Sequence, residues 1–368
     1  MILSKLNFIE HKSENNYWEI KNLNFNMINL VVGLNATGKT RLVNIISNLA
    51  KIISKKRMNL LDGNWLLEFK KTNNTTYKYE LEVKNKKVKF EQIKVGKIVV
   101  LKRENNFGKI YSHKFKTKIE IHPPADELTL HVRRDVKEFP FLEDLFLWAN
   151  NFLGYRFTGA RPDLVIVPIS TEQKDYLEDL GATPYLLKKA INDKNFVNAI
   201  IKDFSSIGYP IDKVKVKSTI ATGIPNDILI SIVKEKDLKC ETDQTKMSQG
   251  MYRAFSLIII VEYLLRLKKD CTVVIDDLGE GLDFERSSKL TKIIIDKIKN
   301  STIQLIMTSN DRFLINSVDI KYLNLLERNG HLVESFNVKN SRKLFEDFKY
   351  TGLNNFDLFS GKMYKSNE

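Results

Sequence analysis

An octapeptide near the start of the chain reads Gly33-Leu34-Asn35-Ala36-Thr37-Gly38-Lys39-Thr40. It matches the pattern G-x-x-x-x-G-K-[ST] at every fixed position. The run 28–32 before it, apolar except for Asn29, predicts a strand that is buried on both faces. After it, apolar residues recur at helical spacing, at Leu42, Ile45, Ile46, Leu49, Ile52 and Ile53. A glycine-rich loop between a buried strand and a helix N-terminus offers backbone N–H groups and a favourable dipole to phosphate.

This P-loop predicts a binding site for ATP and Mg²⁺. Lys39 is expected to reach the β- and γ-phosphates, and the Thr40 hydroxyl is expected to coordinate Mg²⁺. The other loop residues expected to surround the phosphates are Gly33, Asn35, Ala36, Thr37 and Gly38. The competing interpretation is a chance glycine-rich turn, which accounts less well for the complete pattern. Tyr17 or Trp18 is a candidate to stack on the base, although a place in the strand core explains both residues more simply.

A second motif, Val273-Val274-Ile275-Asp276-Asp277, ends an apolar run with two carboxylates. Strands of open α/β sheets present ligand-binding residues at their carboxyl ends. Asp276 is therefore expected to bind Mg²⁺, and Asp277 to orient or deprotonate the attacking water. Alone, the run also fits an ordinary strand end, but together with the P-loop it favours a catalytic strand of the Walker B type.

The third motif is Met247-Ser248-Gln249-Gly250-Met251-Tyr252-Arg253, followed by the apolar stretch 254–265. Ser248 and Gly250 open a buried helix, so one interpretation is a simple helix N-cap. The position just ahead of the two carboxylates resembles instead the place where ABC-type ATPases carry their signature motif, which implies binding to a γ-phosphate held by the other subunit.

In this order the motifs resemble the SMC, RecF and OLD branch of ABC-type ATPases, often labelled AAA family ATPases in bacterial genomes. The resemblance extends to Glu280-Gly281-Leu282-Asp283, which is similar to the family's D-loop, and to Thr308-Ser309-Asn310, where the family places a switch histidine. The Ser-x-Gly-x-x-Arg form of the signature is closer to OLD-like proteins than to transporters. The resemblance covers residues 1–60 and 240–320 well, and 60–240 only in kind.

The resemblance implies a homodimer that sandwiches ATP. In such a dimer Ser248, Gly250 and Asp283 contact the nucleotide of the opposite protomer. The chain departs from the family in two catalytic positions. Asp277 replaces the usual glutamate, one methylene short, so Glu280 is a second candidate to activate water. Asn310 replaces the histidine and cannot carry a proton, which predicts slow hydrolysis.

The predicted fold class is α/β: a P-loop ABC-type ATPase head with an antiparallel β-lobe and a helical insertion. Four domains are predicted. They are an ATPase core at 1–60 and 240–320, a β-lobe at 61–125, a mainly helical insertion with returning strands at 126–239, and a C-terminal extension at 321–368. The first forty residues predict two strands, and Phe139–Phe157 predicts a helix. The run 164–169 predicts a strand, and the segment Thr171–Phe204 is expected to be mostly helical.

Composition leaves the partners open. The net charge of +14 suggests nucleic acid as a candidate partner, but the positive residues are 46 Lys and only 13 Arg, which AT-rich codon usage also produces. Two cysteines without metal-like spacing suggest a reducing compartment. The longest apolar run, Ala254–Leu265, is too short to span a bilayer, and the start of the chain does not resemble a signal peptide. A cytoplasmic protein without membrane contact is expected.

Three functions fit these observations. The first is the regulatory ATPase of a bacterial anti-phage defence system, which controls a separate effector protein. The second is a RecF-like or SMC-like DNA-repair ATPase that clamps duplex DNA. The third is a scaffold in which ATP holds an oligomer together without being hydrolysed. The segment after Asn310 contains no D-x-D motif from residue 322 onward, which argues against a nuclease fused at this end.

Overall fold

The computed structural model describes residues 1–12, 14–57, 59–156, 182–219 and 228–365. Its strands, in chain order, are β1 (Ile2–Glu10), β2 (Trp18–Asn24), β3 (Ile28–Val32), β4 (Gly63–Lys70), β5 (Thr76–Lys84), β6 (Lys87–Val95), β7 (Ile98–Glu104), β8 (Phe107–Ser112), β9 (Thr117–Ile121), β10 (Phe152–Arg156), β11 (Ile211–Thr219), β12 (Ile228–Glu235), β13 (Thr242–Asp243), β14 (Cys271–Asp276), β15 (Ile303–Ser309), β16 (Leu323–Asn329) and β17 (Leu332–Phe336).

Its α-helices are α1 (Lys39–Ile53), α2 (Thr129–Arg133), α3 (Pro140–Asn150), α4 (Ala182–Ala190), α5 (Lys194–Ser206), α6 (Gln249–Leu267), α7 (Phe284–Ile298), α8 (Arg312–Ser317), α9 (Arg342–Phe348) and α10 (Asn355–Ser360). Short 3-10 turns occupy Gln244–Lys246, Ile320–Tyr322 and Met363–Lys365. Across the described parts of the chain, no helix combines the length and the hydropathy needed to cross a bilayer.

Contacts divide the chain into two compact units. The first comprises Met1–Phe152, Asp270–Thr272 and Ile320–Glu368, and the second comprises Leu153–Lys269 and Val273–Asp319. The P-loop belongs to the first unit, whereas the signature, Walker B and D-loop motifs belong to the second. The four domains drawn from the sequence stay a prediction.

A large, mostly antiparallel sheet forms the first unit, in the order β3-β16-β17-β2-β1-β4-β5-β6-β7-β8-β9. Two pairs are parallel, β16 with β3 and β17 with β2. The strands from β2 through β1 to β9 pair antiparallel. The segment 321–368, predicted as an extension, thus supplies β16 and β17 to the inner part of this sheet.

The strand and helix around the P-loop form as their sequence patterns predict. Every residue of β3 is buried. On α1 the buried positions include all of the apolar residues identified by periodicity, namely Leu42, Ile45, Ile46, Leu49, Ile52 and Ile53. The helix packs against α3. An amphipathic helix behind a fully buried strand therefore holds both ends of the loop.

The first forty residues contain three strands, so the prediction of two was wrong. The additional strand, β2, was not predicted because its apolar residues do not alternate regularly. Trp18, Ile20 and Leu23 are buried, and the pairing with β1 shifts register between Leu6 and Phe8. Asn22, inside the irregular part, has φ of 54°. A local bulge of this kind breaks the period of two on which strand prediction depends.

The predicted helix Phe139–Phe157 is shorter in the structure. Helix α3 ends at Asn150, and Phe152–Arg156 forms the strand β10 instead. The aromatic residues Phe152 and Tyr155, which are buried here, favour a strand once the helix has ended. The predicted strand 164–169 and the start of the predicted helix at 171 lie outside the described residues.

The second unit is built around α6, which is buried along most of its length. Helices α4, α5 and α7 pack against it, and α8 packs against α7. β14 lies between β10 and β15, while β11, β12 and β13 form a separate antiparallel sheet. A helix that is apolar nearly all round is stable only when other elements cover every face, as they do here.

Candidate functional site

The P-loop has a backbone that needs both of its fixed glycines. Gly38 has φ of 105°, and a Cβ at this position would lie 3.0 Å from the Trp18 ring. A Cβ on Gly33 would lie 2.4 Å from Thr37 Oγ1. Ala36 also adopts a left-handed conformation, with φ of 64°. The loop therefore has the open backbone that a phosphate cradle requires.

Lys39 is folded into this loop rather than extended into solvent. Its side chain is buried, and Nζ donates to Gly33 O at 2.7 Å and to Leu34 O at 3.2 Å. Thr40 follows it at an exposed position in the first turn of α1. That turn contains no acidic residue, so the positive end of the helix dipole is not neutralised locally. The arrangement fits the phosphates of a nucleotide.

Arg328, at the end of β16, supports the loop in a way that sequence reasoning missed. Its Nη1 donates to Ala36 O at 3.1 Å, and its Nε donates to Gly330 O at 2.7 Å. Left-handed backbone costs a non-glycine residue about 1–2 kcal/mol, and a hydrogen bond from a guanidinium offsets part of that cost. No signal in the sequence links Arg328 to Ala36, because almost the whole chain separates them.

Trp18 lies in the core, as the simpler interpretation of this residue predicts. It is 2% exposed, touches Gly38 as described, and has the Arg41 guanidinium 4.3 Å above its ring centroid. Arg41 also pairs with Glu10. Tyr17 instead packs its ring against His331, with centroids 4.6 Å apart. Both aromatic residues are thus engaged in contacts within the protein.

A cavity of about 740 Å³ lies along α1 in the first unit. Its polar lining begins at Arg41, directly after the P-loop, and continues along the same helix face to Asn44 and Asn48. Its floor is formed by the buried rings of Phe8 and Trp65, whose centroids are 5.0 Å apart. A concave site of this size with an aromatic floor and a few polar groups is typical of small-molecule binding.

In the second unit, Asp276 and Asp277 leave the end of β14 in different environments. Asp276 is 1% exposed, and Thr308 Oγ1 donates to its Oδ1 at 2.6 Å. The same hydroxyl accepts the Asp277 N–H at 2.9 Å. Thr308, on the neighbouring strand β15, therefore fixes both carboxylate residues. Its place at the end of a strand is the one sequence signal that pointed to it.

Asp277 has an unusual backbone, with φ of 51°. Aspartate tolerates this conformation better than most residues, and such strain is concentrated at functional sites. Glu280 is exposed and follows in the same turn, where its N–H donates to Asp277 O at 3.1 Å. Asn310 is also exposed, directly after β15. Asp277 and Glu280, the two carboxylates that are candidates to activate water, are therefore both less buried than Asp276.

The signature and D-loop motifs pack directly against each other in the second unit. Ser248 is the N-cap of α6 and accepts the Met251 N–H at 3.2 Å. Arg253 is 2% exposed, and its Nη1 donates to Glu280 O at 2.9 Å. Burial lowers the pKa of Arg253, while the charge of Glu280 opposes this shift. The arginine of Ser-x-Gly-x-x-Arg thus holds the backbone that leads into the D-loop.

Gly250 is required by this packing. A Cβ at this position would lie 2.2 Å from Gly281 O. We expect Gly250→Ala to lower the free energy of unfolding by about 1–3 kcal/mol, because the clash outweighs the small gain in helix propensity in a first turn. Denaturant unfolding measures the loss. Gln249→Ala, on the exposed neighbour, is the matched control and should change stability by less than about 0.5 kcal/mol. Equal effects of both variants would contradict the packing argument.

Asp283, the last residue of the D-loop motif, caps α7. Its Oδ1 accepts the Arg286 N–H at 3.0 Å, and its Oδ2 accepts from Arg286 Nη1 at 2.6 Å. These hydrogen bonds lower the pKa of Asp283, so the carboxylate is charged at neutral pH. The D-loop aspartate is therefore held at a defined place within its own unit.

The donor set near these motifs fits Mg²⁺ bound together with phosphates. Among the described residues, no group of three or more His, Cys, Asp and Glu side chains could hold a metal ion. Mg²⁺ is commonly held by one or two protein oxygens plus waters and substrate phosphates, so Thr40 and Asp276 suffice chemically. The sharing of one ion by these two residues stays a prediction from the sequence.

Comparison with family models and with curated proteins gives no match for this chain. Solved structures match it in fold. An SMC head bound to the C-winged helix domain of ScpA has a TM-score of 0.53 at 12% identity, covering 93% of this chain and 100% of that chain. An Smc head of Pyrococcus furiosus with an extended coiled coil, bound to the C-terminal domain of ScpA, has a TM-score of 0.51 at 10% identity, with 94% and 99% covered.

The chain thus has the fold of the SMC head domains. At the level of the fold, this agrees with the SMC part of the resemblance drawn from the motifs. The closer likeness to OLD-like proteins, which rested on the form of the signature motif, stays a prediction.

Proposed function

We propose that this chain binds Mg·ATP and hydrolyses it slowly as an ATP-gated homodimer. The observation that carries the proposal is the P-loop between β3 and α1, with Lys39 buried among the loop carbonyls, in a chain that has the SMC head fold. When bound, Mg·ATP would supply the phosphates that bridge two protomers. Calorimetry of ATP binding, followed by light scattering with and without ATP, tests the proposal; no binding, or no change in mass, would refute it.

The cavity beside α1 would bind the base and sugar of the nucleotide. The phosphates would lie on the P-loop, with Lys39 as the principal cationic side chain. The nucleoside would then enter the cavity directly after the loop, above the rings of Phe8 and Trp65. Asn44 lines this space with an amide group that can both donate and accept hydrogen bonds at a base edge. Asn48 Oδ1 accepts from Arg57 Nη1 at 2.9 Å, so Asn48 offers its NH2 group as a donor.

Turnover provides the test of the catalytic assignment. Asp277→Asn should bind ATP with wild-type affinity and hydrolyse it at least about a hundredfold more slowly, because the amide cannot accept the proton of the attacking water. The expected consequence is a dimer that persists with ATP. Phosphate release and light scattering measure the two effects. Glu280→Gln is the matched variant: if it stops turnover while Asp277→Asn does not, the two roles are assigned to the wrong residues.

For the pathway, the proposal is that the chain regulates a separate effector protein in bacterial anti-phage defence. Two observations support a separate partner and this setting. The signature Ser248-x-Gly250-x-x-Arg253 resembles that of OLD-like proteins, and the SMC heads of similar fold were solved in complex with domains of another protein, ScpA. Phage challenge of cells that carry the gene with its neighbours tests the assignment. Protection that survives Lys39→Ala, or no protection at all, would count against it.

A DNA clamp is the second candidate, because the charge is unevenly distributed. Residues 61–125 hold fifteen Lys and Arg against seven Asp and Glu. Some of these lysines pair with glutamates, as in Lys102–Glu104 at 3.0 Å and Lys109–Glu120 at 3.5 Å. Duplex binding that requires ATP and weakens steeply with salt would favour the clamp over the defence role. A dimer that forms with ATP and never hydrolyses it would favour the scaffold.

A further inference from the structure

Asp62 places a carboxylate on the wall of the cavity beside α1. It lies immediately before β4 and is half-buried. The Asn85 N–H donates to its Oδ2 at 2.8 Å, and the Lys86 N–H donates to its Oδ1 at 2.7 Å. Within the described part of the chain, no cationic side chain lies at ion-pair distance from it. A carboxylate has about four lone-pair sites, so a ligand can still use some of them.

The two backbone donors belong to the tight turn between β5 and β6. Asn85 and Lys86 both have a left-handed backbone, with φ of 54° and 56°, and Lys84 pairs with Lys87 across the turn. A two-residue turn of this kind suits the twist of the strands that it joins. Both turn residues also line the cavity. Because each oxygen of Asp62 accepts from the turn, the carboxylate has a fixed orientation on the cavity wall.

The other carboxylate among the described lining residues of this cavity is already engaged. Glu10 pairs with Arg41, and its Oε1 lies 3.5 Å from Nε2 of His11. All three of these residues line the cavity. A ligand that bound to Glu10 would have to compete with an ion pair. Asp62 is therefore the better acceptor for donor groups of a ligand in this cavity.

The charge of Asp62 limits which part of a nucleotide it can meet. A carboxylate repels the phosphates, whose place would be on the P-loop around Lys39, and it attracts neutral groups that donate hydrogen bonds. The ribose carries two neighbouring hydroxyl donors of this kind. The base suits other groups of the cavity better, namely the aromatic floor of Phe8 and Trp65 and the amide of Asn44. Acidic residues bind ribose hydroxyls in the same way in dinucleotide-binding folds.

We propose that Asp62 binds the ribose hydroxyls of the nucleotide, so that the site selects ribonucleotides over deoxyribonucleotides. The inference rests on the proposed function, since it takes the cavity beside α1 as the place of the nucleoside. Hydrogen bonds from hydroxyl groups to a carboxylate are charge-assisted and are among the stronger ones in proteins. A nucleotide that lacks one of the two hydroxyls loses such a bond and should bind more weakly.

The test compares ATP with 2′-deoxy-ATP and 3′-deoxy-ATP by isothermal titration calorimetry in the presence of Mg²⁺, with GTP as a fourth ligand. The wild type should bind ATP roughly tenfold more tightly than either deoxy form, the effect of one hydrogen bond to a charged group. Asp62→Asn should reduce this preference to about threefold or less, because the amide carries no charge and offers one acceptor oxygen in place of two. Thermal unfolding of the variant separately measures any effect on the turn.

Asp135→Asn is the matched control. Asp135 is an exposed aspartate outside the cavity lining, and its Oδ1 accepts from the Lys137 N–H at 2.9 Å and from the Glu138 N–H at 2.7 Å. The same chemical change on a carboxylate that accepts two backbone hydrogen bonds elsewhere should leave the preference for ATP over the deoxy forms unchanged.

The outcomes separate this inference from the proposed function. A wild type that binds ATP and both deoxy forms equally would overturn the inference and leave the proposed function intact. The same holds if Asp62→Asn unfolds at a lower temperature but keeps the preference for ATP over the deoxy forms, since Asp62 would then only support the turn. A variant that changes the ratio of ATP to GTP affinity and keeps the ribose preference would place Asp62 at the base instead. A wild type that binds no ATP would overturn the proposed function and the inference together.

Discussion

Lys39→Ala should weaken ATP binding by at least about tenfold, or roughly 1.4 kcal/mol. The Lys39 ammonium is buried against the carbonyls of Gly33 and Leu34, within the loop that would surround the phosphates. Its removal takes away the main side-chain charge that would meet the β- and γ-phosphates, and no other residue of the loop 33–40 carries a positive charge to replace it. Isothermal titration calorimetry with ATP and Mg²⁺ measures the effect directly.

Lys51→Ala provides the control for Lys39→Ala. Lys51 lies in the last turn of the same helix and is exposed, so this variant makes the same chemical change away from the loop. It should bind ATP as the wild type does. Wild-type affinity of Lys39→Ala would show that the loop does not bind phosphates, and with it the proposed function would fail.

Ser248→Arg should abolish ATP-dependent dimerisation and hydrolysis while ATP still binds to the P-loop of the same chain. Ser248 is exposed at the start of α6, where the proposed dimer places the phosphate of the opposite protomer. In the proposed dimer, the signature of one protomer would close over the phosphates of the other, supply N–H donors to them and exclude water. A bulky cation at position 248 would block this contact. The lost N-cap costs about 1 kcal/mol of stability, too little to unfold a chain of this size. Light scattering and phosphate release measure the two losses.

A mixture of two inactive variants shows whether Ser248→Arg is inactive because the active site is shared between protomers or because the variant protein is itself damaged. In a heterodimer of Ser248→Arg with Lys39→Ala, one composite site keeps both an intact P-loop and an intact signature, whereas the other has neither. The mixture should therefore regain activity that neither variant has alone, with at most one working site per dimer. Ser360→Arg, which adds the same cation on the exposed end of α10, should dimerise normally. Full hydrolysis by monomeric Ser248→Arg would rule out the head-to-head arrangement.

The parts of the fold that could be predicted from the sequence are those with a local and regular pattern. Strand β3 and helix α1 were located from runs of apolar residues at the period of each element. The P-loop between them was recognised because a phosphate cradle requires glycine at fixed places, and Gly33 and Gly38 have no room for a Cβ. The order of the motifs then predicted an α/β head of the SMC kind, and the similarity to SMC heads confirms this fold, while the helical insertion stays a prediction.

What could not be predicted depends on residues that meet only after folding. The strand β2 was missed because a bulge against β1 disturbs its alternation. Arg328 reaches Ala36 across nearly the whole length of the chain, and Thr308 reaches Asp276 from a neighbouring strand. An arginine or threonine is common on any surface or strand, so its type carries no sign of these contacts.

The strand order of the first unit also has a consequence for synthesis on the ribosome. β16 and β17 lie between β3 and β2, although they are encoded almost at the far end of the chain. At about 5–20 residues per second, the nascent chain waits roughly 15–60 s between the appearance of β3 and that of its sheet neighbour. During this time β3 and β2 have unpaired edges, which invite wrong pairing with other chains. The P-loop likewise lacks the hydrogen bond from Arg328 to Ala36 until β16 has been synthesised.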